Sequence, residues 1–320
     1  VIGELAGSIS DIQSSSTTYF NTVHKWMPIV SKRQFYATLL HRMTTRRAEL
    51  LLLTLSMKLS SSNVEVAETD LYRAVKQLHF EAESCGTLSI LVLQAGVIIA
   101  LYELGHAIYP AAYLSVGRCA RYAIGLGLDQ TASTVGEMKL PWNEEEECRR
   151  VWWSILILDR FLNLCGFGQR LLTPDIHSDI YLPVDEEAWD AGLTRPEDAF
   201  RLGSASVLHM GLFARLAQAA HLVSKALQDA RDGETDTAQL RRTLFALISL
   251  SEMEGTAVTH LRIHRKDHSQ STTDKLNLLN QGLRQLNTRW LAGSTYLSLL
   301  ETREMMALIP YEFSDVASGY

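Results

Sequence analysis

Apolar residues recur at helical spacing along almost the whole chain, and the strict alternation that marks half-buried strands is nearly absent. Seven prolines are present, mostly at positions that suit helix boundaries. A polar lead-in, Ser14–Thr18, precedes a predicted short helix from Tyr19 to Trp26, which Pro28 ends. Ser31 is placed to cap a second helix through His41, and a third covers Arg46 to Leu59 before the loop Ser60–Asn63. A fourth runs from about Val66 to Glu83, with Gly86 as its stop. Two helices, about Thr87–Leu104 and Pro110–Leu126, then form a hairpin. Pro110 suits the first turn of the second helix, and Gly125 and Gly127 suit its end. Thr131–Pro141 reads as a loop and Gly166–Pro183 as an irregular stretch. Further helices are expected at about Pro196–Ala230, Thr237–Arg265 and from Thr273 to Leu300 or beyond.

This pattern predicts an all-α fold: one large multi-helical domain over residues 1–320, built of packed helices and helical hairpins, with no sheet. A sub-boundary is expected near 229–237, where the run is charged and contains Gly233. The hairpin resembles one tetratricopeptide-type unit, but no second copy follows at a fixed period, which argues against a solenoid.

Asn143 to Arg160 is the most informative stretch. Asn143 is expected to be an N-cap with Glu146 completing a capping box, and Glu144–Glu147 to form a solvated, acidic first turn. Beyond them Cys148, Trp152, Ile155, Leu156 and Leu162 define one apolar stripe, and Val151, Leu158 and Cys165 a second. A helix apolar on most of its circumference is buried. Asp159 and Arg160 then lie where charge is costly unless paired. Adjacent helical residues diverge, so each is expected to have its partner elsewhere. Asp159 is assigned Arg118, Arg121 or Arg170, and Arg160 an acid such as Asp175 or Asp179. The stretch Gly168–Pro183 is read as a strap folded back on this helix.

The 320 residues carry 36 acidic and 30 basic side chains, a formal charge of −6, so no basic nucleic-acid-binding surface is indicated. Cys85, Cys119, Cys148 and Cys165 form no C-x-x-C pair and read as buried free thiols. The apolar run Leu88–Tyr102 falls short of the ~20 residues of a membrane span, and no signal peptide is expected at Val1–Ser16. The chain opens on Val1 and is therefore expected to be a domain of a longer protein. His260, His264 and His268 stand one turn apart, but the surrounding run is polar and reads as a solvated helix end; no metal site is assigned. H-E-x-x-H, G-x-S-x-G, P-loop and G-x-G-x-x-G motifs are missing, so an enzyme is not expected.

Three ordered blocks carry a resemblance. The first is Gly117–Arg121 with Tyr122 to Leu128, similar to a G-R-A-x-R-x-A-x-x-L-G-L helix. The second is Arg149-Arg150-Val151-Trp152-Trp153-Ser154 through Leu158-Asp159-Arg160. The third is Gly168-Gln169-Arg170 followed by Asp175, Ile176, Asp179, Leu182 and Pro183, in which Gly-Gln-Arg stands where Gly-Arg-Pro is frequent and His177-Ser178 interrupt the acidic run. With Tyr19–Val30 as an entry segment, the chain resembles the middle homology region of fungal zinc-cluster transcription factors, over about Thr18 to Pro183. The resemblance implies a non-enzymatic, all-α regulatory domain of a nuclear protein. It also implies that zinc and DNA contact belong to a six-cysteine DNA-binding domain absent from this sequence.

The function expected is effector sensing: a small molecule or co-regulator binds among the helices and shifts a population. The alternative is a ligand-free scaffold that homodimerises or docks a co-regulator. A pocket is expected between the Leu88–Leu128 hairpin, the Trp152 helix and the C-terminal helices. Its expected liners are Tyr102, Trp153, Phe161 and Phe167 from the first half and Met210 and Phe213 from the second. Trp152 and Trp153 could line such a cavity, but paired tryptophans of this kind are more often core packing.

Overall fold

The computed structural model describes residues 7–232, apart from 41–46, 63, 65, 87, 132, 136–139, 164–170 and 205–209. Among the described residues the fold is all-α with no strand. Except for Gly105–Ala107, these residues belong to one compact unit made of Val1–Leu104 and Ile108–Thr256. Gly105–Ala107 group with Ala257–Tyr320 in a second. The helices expected at 237–265 and 273–300, the histidine run at 260–268, and residues 233–237 of the expected boundary lie outside the described residues.

Helix α1, Ile9–Asn21, starts earlier than the sequence predicts and absorbs the polar lead-in. Ser8 and Asp11 form a full capping box, with Ser8 N–H donating to Asp11 Oδ2 at 2.7 Å. The hydroxyls of Ser16 and Thr18 then donate to the carbonyls of Ile12 and Ser14 four residues back, which accommodates these polar side chains inside a helix. A 3₁₀ turn at Val23–Lys25 follows. Helices α2, Lys32–Leu40, and α3, Arg47–Ser61, come next, and α3 packs on α1 and on α4, Asp70–Ser84. Thr69 caps α4, whose buried side chains Tyr72, Val75 and His79 recur at i, i+3 and i+7.

Helix α5, Ile90–Gly105, is buried from Val92 to Leu104, as its unbroken apolar run requires. Helix α6, Tyr109–Gly125, returns beside it with Pro110 in the first turn. A short helix α7, Leu128–Thr131, occupies the start of the expected loop. The long helix α8, Trp142–Leu162, packs against α6, α7 and the last described helix, α10, Leu212–Asp232. Helix α10 continues to Asp232, so the expected break does not begin at Asp229.

Residues 196–204 depart from the predicted helix. After a 3₁₀ turn at Pro196–Asp198, Phe200–Leu202 run beside the strap. Leu182 N–H donates to Phe200 O at 2.7 Å, and Leu202 N–H to Ile180 O at 2.8 Å. Gly203 packs against the Ser178 carbonyl, where side-chain bulk would crowd the backbone. Between strap and turn lies a helix the periodicity did not mark, α9, Glu186–Ala191, capped by Asp185 and closed by Gly192 at φ 71°. Cys119 and Cys148 are buried free thiols, whereas Cys85 at the end of α4 is exposed because the helix ends there at the surface. Cys165 lies outside the described residues.

Close helix approach is visible at Gly96 of α5. His79 of α4 sits over it and hydrogen-bonds the Val92 carbonyl through Nε2 at 3.2 Å. A methyl group at Gly96 would stand 2.7 Å from that nitrogen. Gly96→Ala is therefore expected to displace His79 and lower stability by about 1–3 kcal/mol, read as a lower urea midpoint at unchanged slope.

Candidate functional site

Helix α8 begins at Trp142, with Pro141 as the residue before it, so Asn143 is not the cap. Proline has its φ preset and lacks an N–H, and the helix starts two residues earlier than expected. The Pro141 carbonyl accepts the amides of Glu144 and Glu145 at 2.9 and 3.1 Å. Nor are the glutamates solvated. Glu145, Glu146 and Glu147 are buried, with Glu144 half-buried.

Burial is sustained by pairing within the helix. Arg149 donates to Glu146 Oε2 at 2.5 Å and to Glu145 Oε1 at 3.0 Å, and Arg150 Nε donates to Glu146 Oε1 at 2.9 Å. These are the i, i+3 and i, i+4 spacings that bring side chains together on one helix. The remaining donors reach other segments. Arg149 bonds the Thr134 carbonyl at 3.1 Å, and Arg150 the Val184 carbonyl at 2.6 Å. Glu146 accepts the Val184 amide at 2.9 Å. The Arg150 guanidinium also lies 4.2 Å from the ring centre of Trp189 on α9.

At the other end of α8, Asp159 accepts from Leu172 N–H (3.0 Å), Thr173 N–H (2.9 Å) and Thr173 Oγ1 (2.6 Å). Arg160 donates to Thr173 Oγ1, to the Pro174 carbonyl at 2.5 Å and to Ser224 of α10 at 2.8 Å. The strap thus does fold back on α8, but the expected partners are corrected. Asp159 and Arg160 meet each other at 3.4 Å, because the long arginine stem bends round to the Thr173 hydroxyl that both engage. Arg118 pairs with Glu83 at 3.7 Å, and Arg121 and Asp179 are exposed; Asp175, also exposed, makes no hydrogen bond to Arg160 but its charge still favours the charged guanidinium, as expected for an acidic neighbour. Arg170 lies outside the described residues.

The expected pocket liners do not converge on the cleft described next. Tyr102 is buried, donates to the Ala67 carbonyl at 2.7 Å and stacks on Tyr72. Trp153 is buried and donates to the Tyr181 carbonyl at 2.8 Å. Phe161 is 48% exposed, Met210 and Phe213 are core, and Phe167 lies outside the described residues.

A cleft of about 560 Å³ opens instead at the N-terminal end of α8. Its walls come from α2 (Phe35, Thr38), α3 (Leu50, Leu53), the start of α5 (Leu88, Ser89, Ile90), Leu126, Leu128 and Leu140, and its polar groups include Glu144 and Glu147 of α8. Leu88 and Leu140 are 48% and 38% exposed at its rim. Glu147 Oε1 accepts the Ser31 amide and the Gln94 side-chain amide, both at 2.8 Å. Gln94 also donates to the Ile29 carbonyl at 2.7 Å. Burial pushes the Glu147 carboxyl up to about 7, against the opposing pull of these two donors. Burial likewise pushes the Cys148 thiol beside it up to about 12, so this wall holds no thiolate nucleophile. One signal for Glu147 was present in the sequence: at i and i+4 from Val151 it heads the second apolar stripe, where a solvated acid does not belong.

The described residues thus form an all-helical domain in which a buried ionic spine braces one end of an apolar cleft that contains a carboxylate. No helix among the described residues is long and apolar enough to cross a membrane, and none of their His, Cys, Asp and Glu side chains gather in threes to hold a metal. Residues 17–287 match the fungal-specific transcription factor domain, and the chain belongs to that family. Transcription factor BOA15 of Botryotinia fuckeliana (strain B05.10) is 37% identical over 151 residues, 46% of this chain and 84% of that protein. Transcription factor tazR of Aspergillus terreus is 28% identical over 194 residues, 58% of this chain and 29% of its own length. The pigment biosynthesis transcriptional activator pigB of Monascus ruber is 25% identical over 187 residues, 54% of this chain and 34% of its own length. The matched segment is therefore about a third of the latter two proteins. No solved structure matches the chain. Family and relatives are transcription factors, which are not enzymes, and the chain is a transcription regulator's domain.

Two outcomes follow from this geometry. Glu146→Ala removes the carboxylate partner of the buried Arg150 and one of the two of Arg149, and is expected to cost about 3–5 kcal/mol in urea unfolding, whereas Arg73→Ala, at an exposed pair with Asp70, costs under about 1 kcal/mol. Glu147 holds its proton more tightly folded than unfolded, so its contribution declines as pH rises from 4.5 to about 7. His79 and His221, lowered to about 4 by burial, act in the opposite sense between about 4 and 6.5. Subtracting Glu147→Gln from wild type cancels the histidines, and the stability difference is expected to fall across pH 4.5–7.

Proposed function

We propose that this chain is the effector-sensing regulatory domain of a nuclear zinc-cluster transcription factor, and that the effector occupies the cleft between α2, α3, the start of α5 and α8. Zinc and sequence-specific DNA contact belong to a separate DNA-binding part of that factor, which fits the chain's acidic balance. The observation that supports the reading is the cleft itself. It has the volume of small-molecule sites and largely apolar walls, and one deeply buried carboxylate is set among them. An effector there touches Glu147, whose other contacts are the Ser31 amide at the head of α2 and Gln94 of α5. Binding would favour one arrangement of these helices over another and so alter segments outside the cleft.

Thermal-shift screening of the chain against fungal metabolites tests this. A ligand at about 100 times its Kd stabilises by about 2.7 kcal/mol. Ala37→Trp, at an exposed position on the cleft wall, is expected to fill the cleft, abolish that shift and remove effector dependence from a transcription reporter driven by the intact factor. A stable dimer with no shift from any compound would replace this reading with the ligand-free scaffold.

A further inference from the structure

Arg118 and Arg121 of α6 take no part in the ionic spine of α8 and stay on the surface. The buried side of α6 consists of Ala112, Ser115, Val116, Cys119, Ala120 and Ala123. On the opposite side Leu114, Gly117, Arg118, Arg121, Ile124 and Gly125 follow one another at helical spacing. Both glycines of this row are covered by a leucine from another segment. A methyl group at Gly117 would stand 3.0 Å from Leu172 of the strap, and one at Gly125 3.4 Å from Leu88. All four apolar side chains face solvent: Leu114 is 63% exposed, Ile124 49%, Leu88 48% and Leu172 37%. They form one apolar patch at Leu114 and Leu172 and another at Ile124 and Leu88, with the two arginines between. From Leu114 to Gly125 the row spans about 16 Å at 1.5 Å per residue.

Neither guanidinium is consumed within the fold. Arg118 lies 3.7 Å from Glu83, beyond hydrogen-bond distance, and 43% of its side chain is exposed. Arg121 is exposed and makes no ion pair among the described residues. Helix α6 carries no acidic residue, which sets this face apart on a chain of formal charge −6.

Single exposed leucines are ordinary, but four gathered from three segments along one helix side mark an interaction surface. Charge then selects the occupant. A second copy meeting this face with its own would bring arginines toward arginines. A nucleic-acid backbone would pair with the guanidinium groups but leave the apolar side chains against phosphate. An acidic amphipathic segment satisfies both features at once. We propose that this side of α6 docks such a segment of a partner protein. Its carboxylates pair with Arg118 and Arg121, and its apolar side chains pack on the leucine and isoleucine patches. The inference is independent of the cleft and of the effector reading.

The test is fluorescence anisotropy with the whole chain and labelled peptides of about 14 residues, long enough to span the row as a helix. The first has Leu at i, i+4, i+7 and i+11 and Glu at the other positions; a second replaces Glu by Lys, and a third replaces Leu by Ser. The first is expected to bind about tenfold or more tighter than either of the others, and to weaken between about 0.15 M and about 1 M salt. Arg121→Glu and Leu114→Ser, both at exposed positions, are each expected to weaken it by about tenfold with unchanged thermal unfolding. The Lys and Ser peptides need no protein variant, so they test the proposal even where a substitution disturbs folding. Equal binding of the Glu and Lys peptides, affinity that survives Arg121→Glu, or no binding at millimolar concentration would overturn the docking face. Equal binding of the Glu and Ser peptides, or a DNA duplex that binds as tightly and ignores Leu114→Ser, would reduce it to a general anion site and overturn the proposal as well.

Discussion

Glu146 is the constraint around which this fold is arranged. It is fully buried at the start of a helix that is itself buried, and it holds both Arg149 and Arg150. A charge in that position is tolerable only when its neighbouring charges are paired. The arginines pair with the glutamates and also reach out of the helix, to the carbonyls of Thr134 and Val184, while Glu146 itself takes the Val184 amide. The loop before α8 and the strap after it are thus fixed by the same ionic cluster. Trp189 of α9 covers the Arg150 guanidinium and closes the cluster from water.

From that anchor α8 connects three regions of the described structure. Near its start Glu147 touches the head of α2 and the middle of α5 and forms part of the cleft wall. At its end Asp159 gathers the amides of the strap, and Arg160 joins strap and α10. Between the ends, Trp153 binds the strap again through the Tyr181 carbonyl. Displacement of the helix start therefore bears on partners at both ends. A rigid element with ionic contacts at each terminus is a suitable carrier for a two-state change, because such contacts are made or broken rather than stretched.

How legible this was differs by level. The long, unbroken apolar run of α5 and the amphipathic α4 could be read directly, since burial follows from periodicity. The strap could be read too, from irregular sequence beside a buried Asp-Arg pair. Its partners could not: Thr173, Pro174 and Ser224 carry no charge, so charge complementarity pointed to Arg118 and Asp175 instead. The glutamate run misled for a related reason. Four acids in a first turn look solvated when only the helix dipole is considered, and their burial depends on two arginines one turn later and on a strap some 38 residues away. The expected pocket was built from aromatic residues, yet Tyr102 and Trp153 proved to be hydrogen-bonded core, and the cleft is lined by leucines of α3, of the start of α5 and at Leu126, Leu128 and Leu140.

By itself the sequence determined the all-helical class, the identity of the buried central helix and the family, through three ordered blocks whose residue types can be recognised without coordinates. Local periodicity encodes which face of a helix is apolar, and capping chemistry encodes where many helices begin. Neither states which other element covers that face. Only the tertiary structure decided that Glu145, Glu146 and Glu147 are interior, that Asp159 and Arg160 share one threonine, and that an acidic, leucine-walled cleft lies at the N-terminal end of α8. Those outcomes depend on contacts between residues far apart in the chain, where burial sets the cost of an unpaired charge and geometry sets which partner can relieve it.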